Sequence, residues 1–125
     1  MSQHPNGSGA EVLVVEDEPT IALDLARELQ HFGFEVAGPF ARCDRALGWL
    51  AQHEPDCAIV DIALPDGSGL AVARELRRRR VPFVFFTSPE HVPQLEGGAD
   101  WADTPWVGKL TAPVHLVRIL EGLRA

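Results

Sequence analysis

The feature that most constrains this chain is an alternation that runs along nearly its whole length. Short apolar runs stand at "EVLVVE" (11–16), "FEVAGPF" (34–40), "DCAIVDIA" (56–63), "VPFVFFTS" (81–88) and "PWVGKL" (105–110). They are short and rich in branched residues, which suits strands better than helices. Between them lie segments with apolar residues at helical spacing. "PTIALDLARELQHFG" aligns Ile21, Leu25, Leu29 and Phe32, opens on Pro19 and closes on Gly33, the residues preferred at those two ends of a helix. "RCDRALGWLAQHE" (42–54) groups Ala46, Leu47 and Leu50 ahead of Pro55, and "GLAVARELRRRR" (69–80) groups Leu70, Ala73 and Leu76. "APVHLVRILEGLRA" (112–125) groups Leu116, Ile119, Leu120 and Leu123. Strand and helix in strict succession imply an α/β fold with one parallel sheet and helices on both faces. The run at 81–88 is apolar enough to be a central strand covered on both sides.

One stretch resists the pattern. In 89–104, Pro89, Pro93 and the Gly97-Gly98 pair leave little room for a regular helix. A fourth helix between the last two strands is therefore expected to be degraded to a turn or replaced by a loop. With 125 residues, the chain has the size of one domain with a real core. We place that domain at 11–125 and read 1–10 as a flexible tail. A net charge of −7 argues against broad binding to nucleic acid or to acidic membranes. No apolar stretch approaches the roughly 20 residues of a membrane span, and the first ten residues lack a signal pattern. Cys57 lies in an apolar run and reads as a core residue. Cys43 reads as a free thiol, which points to a reducing, cytoplasmic setting.

Open parallel sheets place their sites at the carboxyl ends of the strands. There the sequence sets Glu16, Asp17 and Glu18 after the first strand, Asp61 after the third, Thr87 and Ser88 after the fourth, and Lys109 at the end of the fifth. Crowded carboxylates repel one another and raise one another's pKa. A hard cation such as Mg²⁺, which takes one or two carboxylates beside a phosphate oxygen and water, relieves this. Lys109 adds a compact positive charge and Thr87 a hydroxyl donor, so the set describes a phosphoryl site beside a metal. No His or Cys is placed as nucleophile, which leaves an aspartate, and carboxylates do form acyl phosphates. Asp61 is the natural candidate; Glu18 is expected to be solvated.

In sequence, "VLVVEDEP", "IVDIALPDGSG", "FVFFTS" and "WVGK" resemble, in order, the acidic-pair, phosphoacceptor, threonine and lysine segments of two-component response-regulator receiver domains. The resemblance runs from about Glu11 to Leu123. It implies a flavodoxin-like sheet with strand order 2-1-3-4-5. It further implies that Asp61 accepts phosphate from a sensor histidine kinase. Glu16, Asp17, Asp61 and the backbone carbonyl of Ala63 would hold Mg²⁺, Thr87 and Lys109 would meet the phosphoryl oxygens, and Trp106 would be the switching aromatic. The family's proline after the lysine is replaced by Leu110, so the cis peptide usual there is not implied. "VPFVFFT" and "VEDEPTIALDL" resemble a subgroup of stand-alone receivers that work with HWE-type kinases, although Ser88 and Pro89 replace that subgroup's glycine. The expected output is a protein contact or onward phosphotransfer, with no nucleic acid and no membrane involved.

Other readings stand beside this one. A phosphorylation-independent binding module is motivated by Leu110 and the broken fourth helix. An aspartyl phosphatase would want a second acid at position 63, where Ala63 stands, and a flavin site would want a Ser/Thr-rich loop where "EDE" stands. "RRRR" (77–80) reads as a solvated complement to a helix C-terminus. Trp101 would tack down its loop or meet a partner, and Trp106 could equally fill the sheet edge.

Overall fold

The computed structural model describes residues 9–91 and 101–124. Strands β1 (Glu11–Val15), β2 (Glu35–Phe40), β3 (Cys57–Val60), β6 (Phe83–Thr87) and β7 (Trp106–Gly108) form one sheet in the order β2-β1-β3-β6-β7. All its pairings are parallel. Numbered among themselves, these five strands have the order 2-1-3-4-5 expected of a flavodoxin-like sheet. Two residue pairs, β4 (Ala63–Leu64) and β5 (Gly67–Ser68), make a separate antiparallel ribbon after β3. Helices α1 (Pro19–His31), α2 (Cys43–Leu50), α3 (Leu70–Arg78) and α4 (Pro113–Arg124) complete the described α-helices.

Alternate residues of the central strands feed two cores. Leu13, Val15, Ala58, Val60 and Phe85 pack with α2 and α3 through Ala46, Leu50, Val72 and Leu76. Val12, Val14, Ile59, Val84 and Phe86 pack with α1 and α4 through Leu25, Leu29, Leu116 and Leu120. Every residue of β3 and β6 is buried, as expected of strands covered on both faces. Cys57 is fully buried in the second core, and burial pushes its thiol up to about 12.

Local signals account for the ends of α1. Glu18 caps it, accepting a bond from the Thr20 amide at 3.0 Å, and Pro19 takes the first turn. Gly33, at φ 92°, turns the chain so that the Phe34 amide reaches the Leu29 carbonyl. Helix α2 stops at Leu50, earlier than the expected 54. Its final turn tightens, with the Gln52 amide on the Trp49 carbonyl, and Pro55 cannot supply an amide to continue it. Gly9 and Ala10 already belong to the fold: Gly9 donates to Gly33, and Ala10 is buried and accepts from Glu35. Residues 1–8 of the expected tail lie outside the described residues.

The connection from β6 to β7 begins as a single 3-10 turn, Pro89–His91. Most of the segment expected to replace the fourth helix, 92–100, lies outside the described residues. The far end of the connection is anchored. Trp101 is buried edge-on against Phe83 and Phe85. Arg77 stacks 4.6 Å over the Trp101 ring and donates to Thr104 Oγ1 at 2.7 Å. The arginine run is thus only partly solvated. Arg78 and Arg79 both bind Glu75 and hold its carboxyl down at about 2.

Candidate functional site

The carboxyl edge of the sheet brings the expected residues together. Glu16 leaves β1 as a buried side chain, and Asp17 follows it into solvent. Asp61 emerges from β3, the central strand, nearly buried. One carboxylate oxygen from each of Glu16, Asp17 and Asp61 lies within 4.8 Å of the others. Lys109, just past β7, reaches across with its Nζ to Glu16 Oε1 and, at 2.9 Å, to Asp61 Oδ2. These three side chains are 14%, 0% and 5% exposed, respectively, so the pairing is almost dry.

The remaining oxygens have partners of their own. Glu16 Oε2 accepts from the Glu18 amide at 2.9 Å, and Asp61 Oδ1 from the Ala63 amide at 3.2 Å. Burial pushes the Glu16 and Asp61 carboxyls above the ordinary carboxylate range, and the bonds to Lys109 only partly pull them back. Burial pulls Lys109 down, but its two carboxylate partners outweigh this and hold it above the usual lysine value. Thr87, at the end of β6, is completely buried, and among the described residues its Oγ1 has no hydrogen-bond partner. A buried unpaired hydroxyl costs about 1–3 kcal/mol, which calls for an explanation in function.

Backbone packing holds Asp61 in place. Its amide bonds to the Val15 carbonyl. A Cβ on Gly69 would lie 1.9 Å from the Asp61 carbonyl oxygen, so only glycine permits the chain to double back beneath Asp61. The ribbon of β4 and β5 is tied to α2 through Asp66. Its carboxylate accepts from the Cys43 and Asp44 amides at 2.8 and 2.9 Å. It thereby caps a helix whose own cap residue, Arg42, offers no side-chain bond.

Other expected residues fall less centrally. Glu18 is exposed and engaged as a helix cap. Trp106 is 45% exposed on β7, the edge strand, so it does not fill the sheet edge as a buried tryptophan would. The Lys109–Leu110 peptide is trans; among the described residues the cis peptide is Gly38–Pro39. Leu110 itself is fully exposed. Around the acids lies a cleft of about 310 Å³, lined by Asp17, Glu18, Ile21, Asp61, Ala63, Ser88, His91 and Lys109. Ile21 and His91 join this lining without having been expected there from the sequence. The one available signal for His91 is its place four residues after Thr87, inside a turn that begins at the strand end.

The donor set fits a hard divalent cation: three converging carboxylates, one of them solvent-facing, beside a fixed ammonium. Fold and site together define a class, the doubly wound α/β signalling domains with an acidic pocket and a lysine at the sheet's carboxyl edge. Residues 12–120 match the response regulator receiver domain, and the chain belongs to that family.

Relatives and solved structures agree. The chain is 34% identical over 124 residues to the transcriptional regulatory protein TcrA of Mycobacterium tuberculosis, covering 94% of this chain and 46% of TcrA. It is 36% identical over 121 residues to the virulence transcriptional regulatory protein PhoP of Salmonella typhimurium, covering 91% and 50%. The chain thus spans about half the length of these relatives. Among solved structures, it is similar to the receiver domain of the sensor histidine kinase PA1611 from Pseudomonas aeruginosa, which has a magnesium ion coordinated in its active site cleft. That match has 26% identity and a TM-score of 0.79, and covers 93% and 98% of the two chains. The signal receiver domain of a histidine kinase from Syntrophus aciditrophicus gives 29% identity and a TM-score of 0.77, covering 93% and 90%. Among the described residues, no helix is long and apolar enough to cross a membrane.

Proposed function

We propose that this chain is a phosphorylation-driven switch in which Asp61 accepts a phosphoryl group from a sensor histidine kinase. The observation that carries this reading is the contact of Lys109 with both Glu16 and Asp61, beside an exposed Asp17 and an unpartnered Thr87. In the transfer, an Asp61 carboxylate oxygen attacks phosphorus and the bond to the donor nitrogen breaks. The electron pair stays with the departing imidazole, which takes up a proton. Glu16, Asp17, Asp61 and the Ala63 carbonyl would hold Mg²⁺, which supplies positive charge for the phosphoryl oxygens. Lys109 is fixed where it can pair with an oxygen on Asp61, and the free Thr87 hydroxyl supplies a second donor. Trp106, exposed on the edge strand three residues before Lys109, is positioned to report the change outward.

The kinase partner we favour is of the HWE type, on the strength of "VPFVFFT" and "VEDEPTIALDL". The output is a contact with a downstream protein, or phosphotransfer onward. The alternative of a phosphorylation-independent binding module is motivated by Leu110 and by the broken fourth helix; against the first ground, with a trans bond at that point Lys109 still meets both acids.

The test is intact mass after incubation with Mg²⁺ and acetyl phosphate, or with a cognate kinase. Gain of one phosphoryl group by wild type, lost with EDTA or in Asp61→Asn, is the expected result. No gain from either donor would sink the proposal and revive the binding module.

A further inference from the structure

We infer that His91 acts on the water that hydrolyses a phosphorylated Asp61, and so sets how long the signal lasts. The inference rests on the phosphoacceptor reading above and extends it to a residue that reading does not use. Ala63 lines the cleft beside Asp61, and Pro89 opens the turn that follows Thr87 and Ser88. Neither carries a side chain that can hold or deprotonate water. The turn at Pro89–His91, closed by the His91 amide on the Ser88 carbonyl at 3.0 Å, carries the half-buried His91 to the wall of the cleft that Asp61 and Lys109 line.

The other polar groups of that cleft are committed or unsuited. Lys109 is held by two carboxylates, Glu18 caps α1, and Asp17 belongs to the acidic cluster. Ser88 brings a hydroxyl, a poor proton acceptor. Among the described residues lining the cleft, the His91 imidazole is the side chain suited to orient water and accept its proton. In the step, the water oxygen attacks phosphorus and the bond from phosphorus to the Asp61 oxygen breaks. The electron pair returns to the carboxylate, the water proton passes to the His91 ring and on to solvent, and inorganic phosphate leaves.

The test loads wild type, His91→Ala, His91→Gln and His53→Ala with acetyl phosphate and Mg²⁺, removes the donor, and follows loss of the phosphoryl mass. His91→Ala is expected to keep its phosphate on the order of tenfold to a hundredfold longer. Free imidazole should shorten that lifetime while leaving wild type unchanged. His91→Gln, which can hold water but not take its proton, should stay slow, and His53→Ala, which alters an exposed imidazole stacked on Trp49 outside the cleft, should decay like wild type. Loading rates should be unaltered throughout. Equal lifetimes for His91→Ala and wild type, or slowing that imidazole does not relieve, would overturn the inference while leaving Asp61 as phosphoacceptor. A wild type that gains no phosphoryl group would overturn the reading beneath it.

Discussion

Replacing Lys109 by methionine removes one charge and strands two. At 2.9 Å and an effective dielectric of about 20, the Lys109–Asp61 attraction alone is about 6 kcal/mol in gross terms. Most of that offsets the desolvation of three nearly buried groups, so the intact site contributes little net stability. Methionine fills much the same space, but the Glu16 and Asp61 carboxylates keep their desolvation cost without a counter-charge. Breaking a buried pair in this way costs about 3–5 kcal/mol. The cost depends on pH with a definite sign. Both carboxyls already titrate above their ordinary values because they are buried, and losing the ammonium raises them further. The native variant then binds more protons than its unfolded chain. Its stability is greatest below the unfolded carboxylate pKa and falls as pH rises through the folded one. Urea unfolding in EDTA at pH 8 should show a loss of about 3–5 kcal/mol against wild type, and the loss should shrink as pH falls. Mg²⁺ at about a hundred times its dissociation constant should return about 3 kcal/mol. A loss below about 1 kcal/mol at pH 8, or one indifferent to pH and to Mg²⁺, would refute the charge-balance reasoning.

Thr87→Val swaps an unpartnered hydroxyl for a methyl, so it should raise stability by about 1 kcal/mol while weakening the response to phosphorylation; urea midpoints and mass spectrometry read the two effects. Gly69→Ala drives a Cβ to within 1.9 Å of the Asp61 carbonyl oxygen and should cost at least about 2 kcal/mol, with slower phosphoryl uptake in the same mass assay. Asp66 is held below its usual pKa by the Asp44 and Cys43 amides. Its stabilising effect is therefore present above the unfolded carboxylate pKa and is lost as pH falls through the folded one; Asp66→Asn should unfold at a lower temperature than wild type at pH 7, with the gap closing toward pH 3. Arg77→Ala uncovers Trp101 and should shift tryptophan emission to the red and cost about 1 kcal/mol.

What the sequence made legible was whatever local spacing controls. The alternation of apolar runs and helical segments predicts the parallel sheet, and a carboxylate at the end of an apolar run followed by "PDGSG" marks Asp61 as the candidate nucleophile. The ends of α1 were written in Pro19 and Gly33, whereas Glu18, expected only as a solvated acid, also caps the helix. What stayed hidden depends on residues that meet only after folding. Asp66 caps a helix that begins 23 positions earlier, a bond that exists only because the ribbon after β3 folds back over α2. Arg77 reads as one of four solvated arginines until Trp101 arrives from the β6–β7 connection to lie beneath it. Trp106 had two equal readings because edge strands tolerate either; its exposure follows from β7 having a partner on one side only.

The site is best understood as one left deliberately short of partners. Among the described residues three carboxylates face a single ammonium, so that the cluster is left with an excess of negative charge. Lys109 divides its donors between Glu16 and Asp61, and neither acid is brought down to an ordinary pKa by that contact. Thr87 keeps a donor that nothing among the described residues receives. A fold could have removed each cost with an apolar residue of similar size, and buried ion pairs are often replaced that way without loss of stability. Retaining them makes sense if the missing partners come from outside: a cation for the acids, and phosphoryl oxygens for Lys109 and Thr87. Each arrival then satisfies groups that are unsatisfied at rest, so the modified state is favoured by relief of existing costs as well as by new bonds.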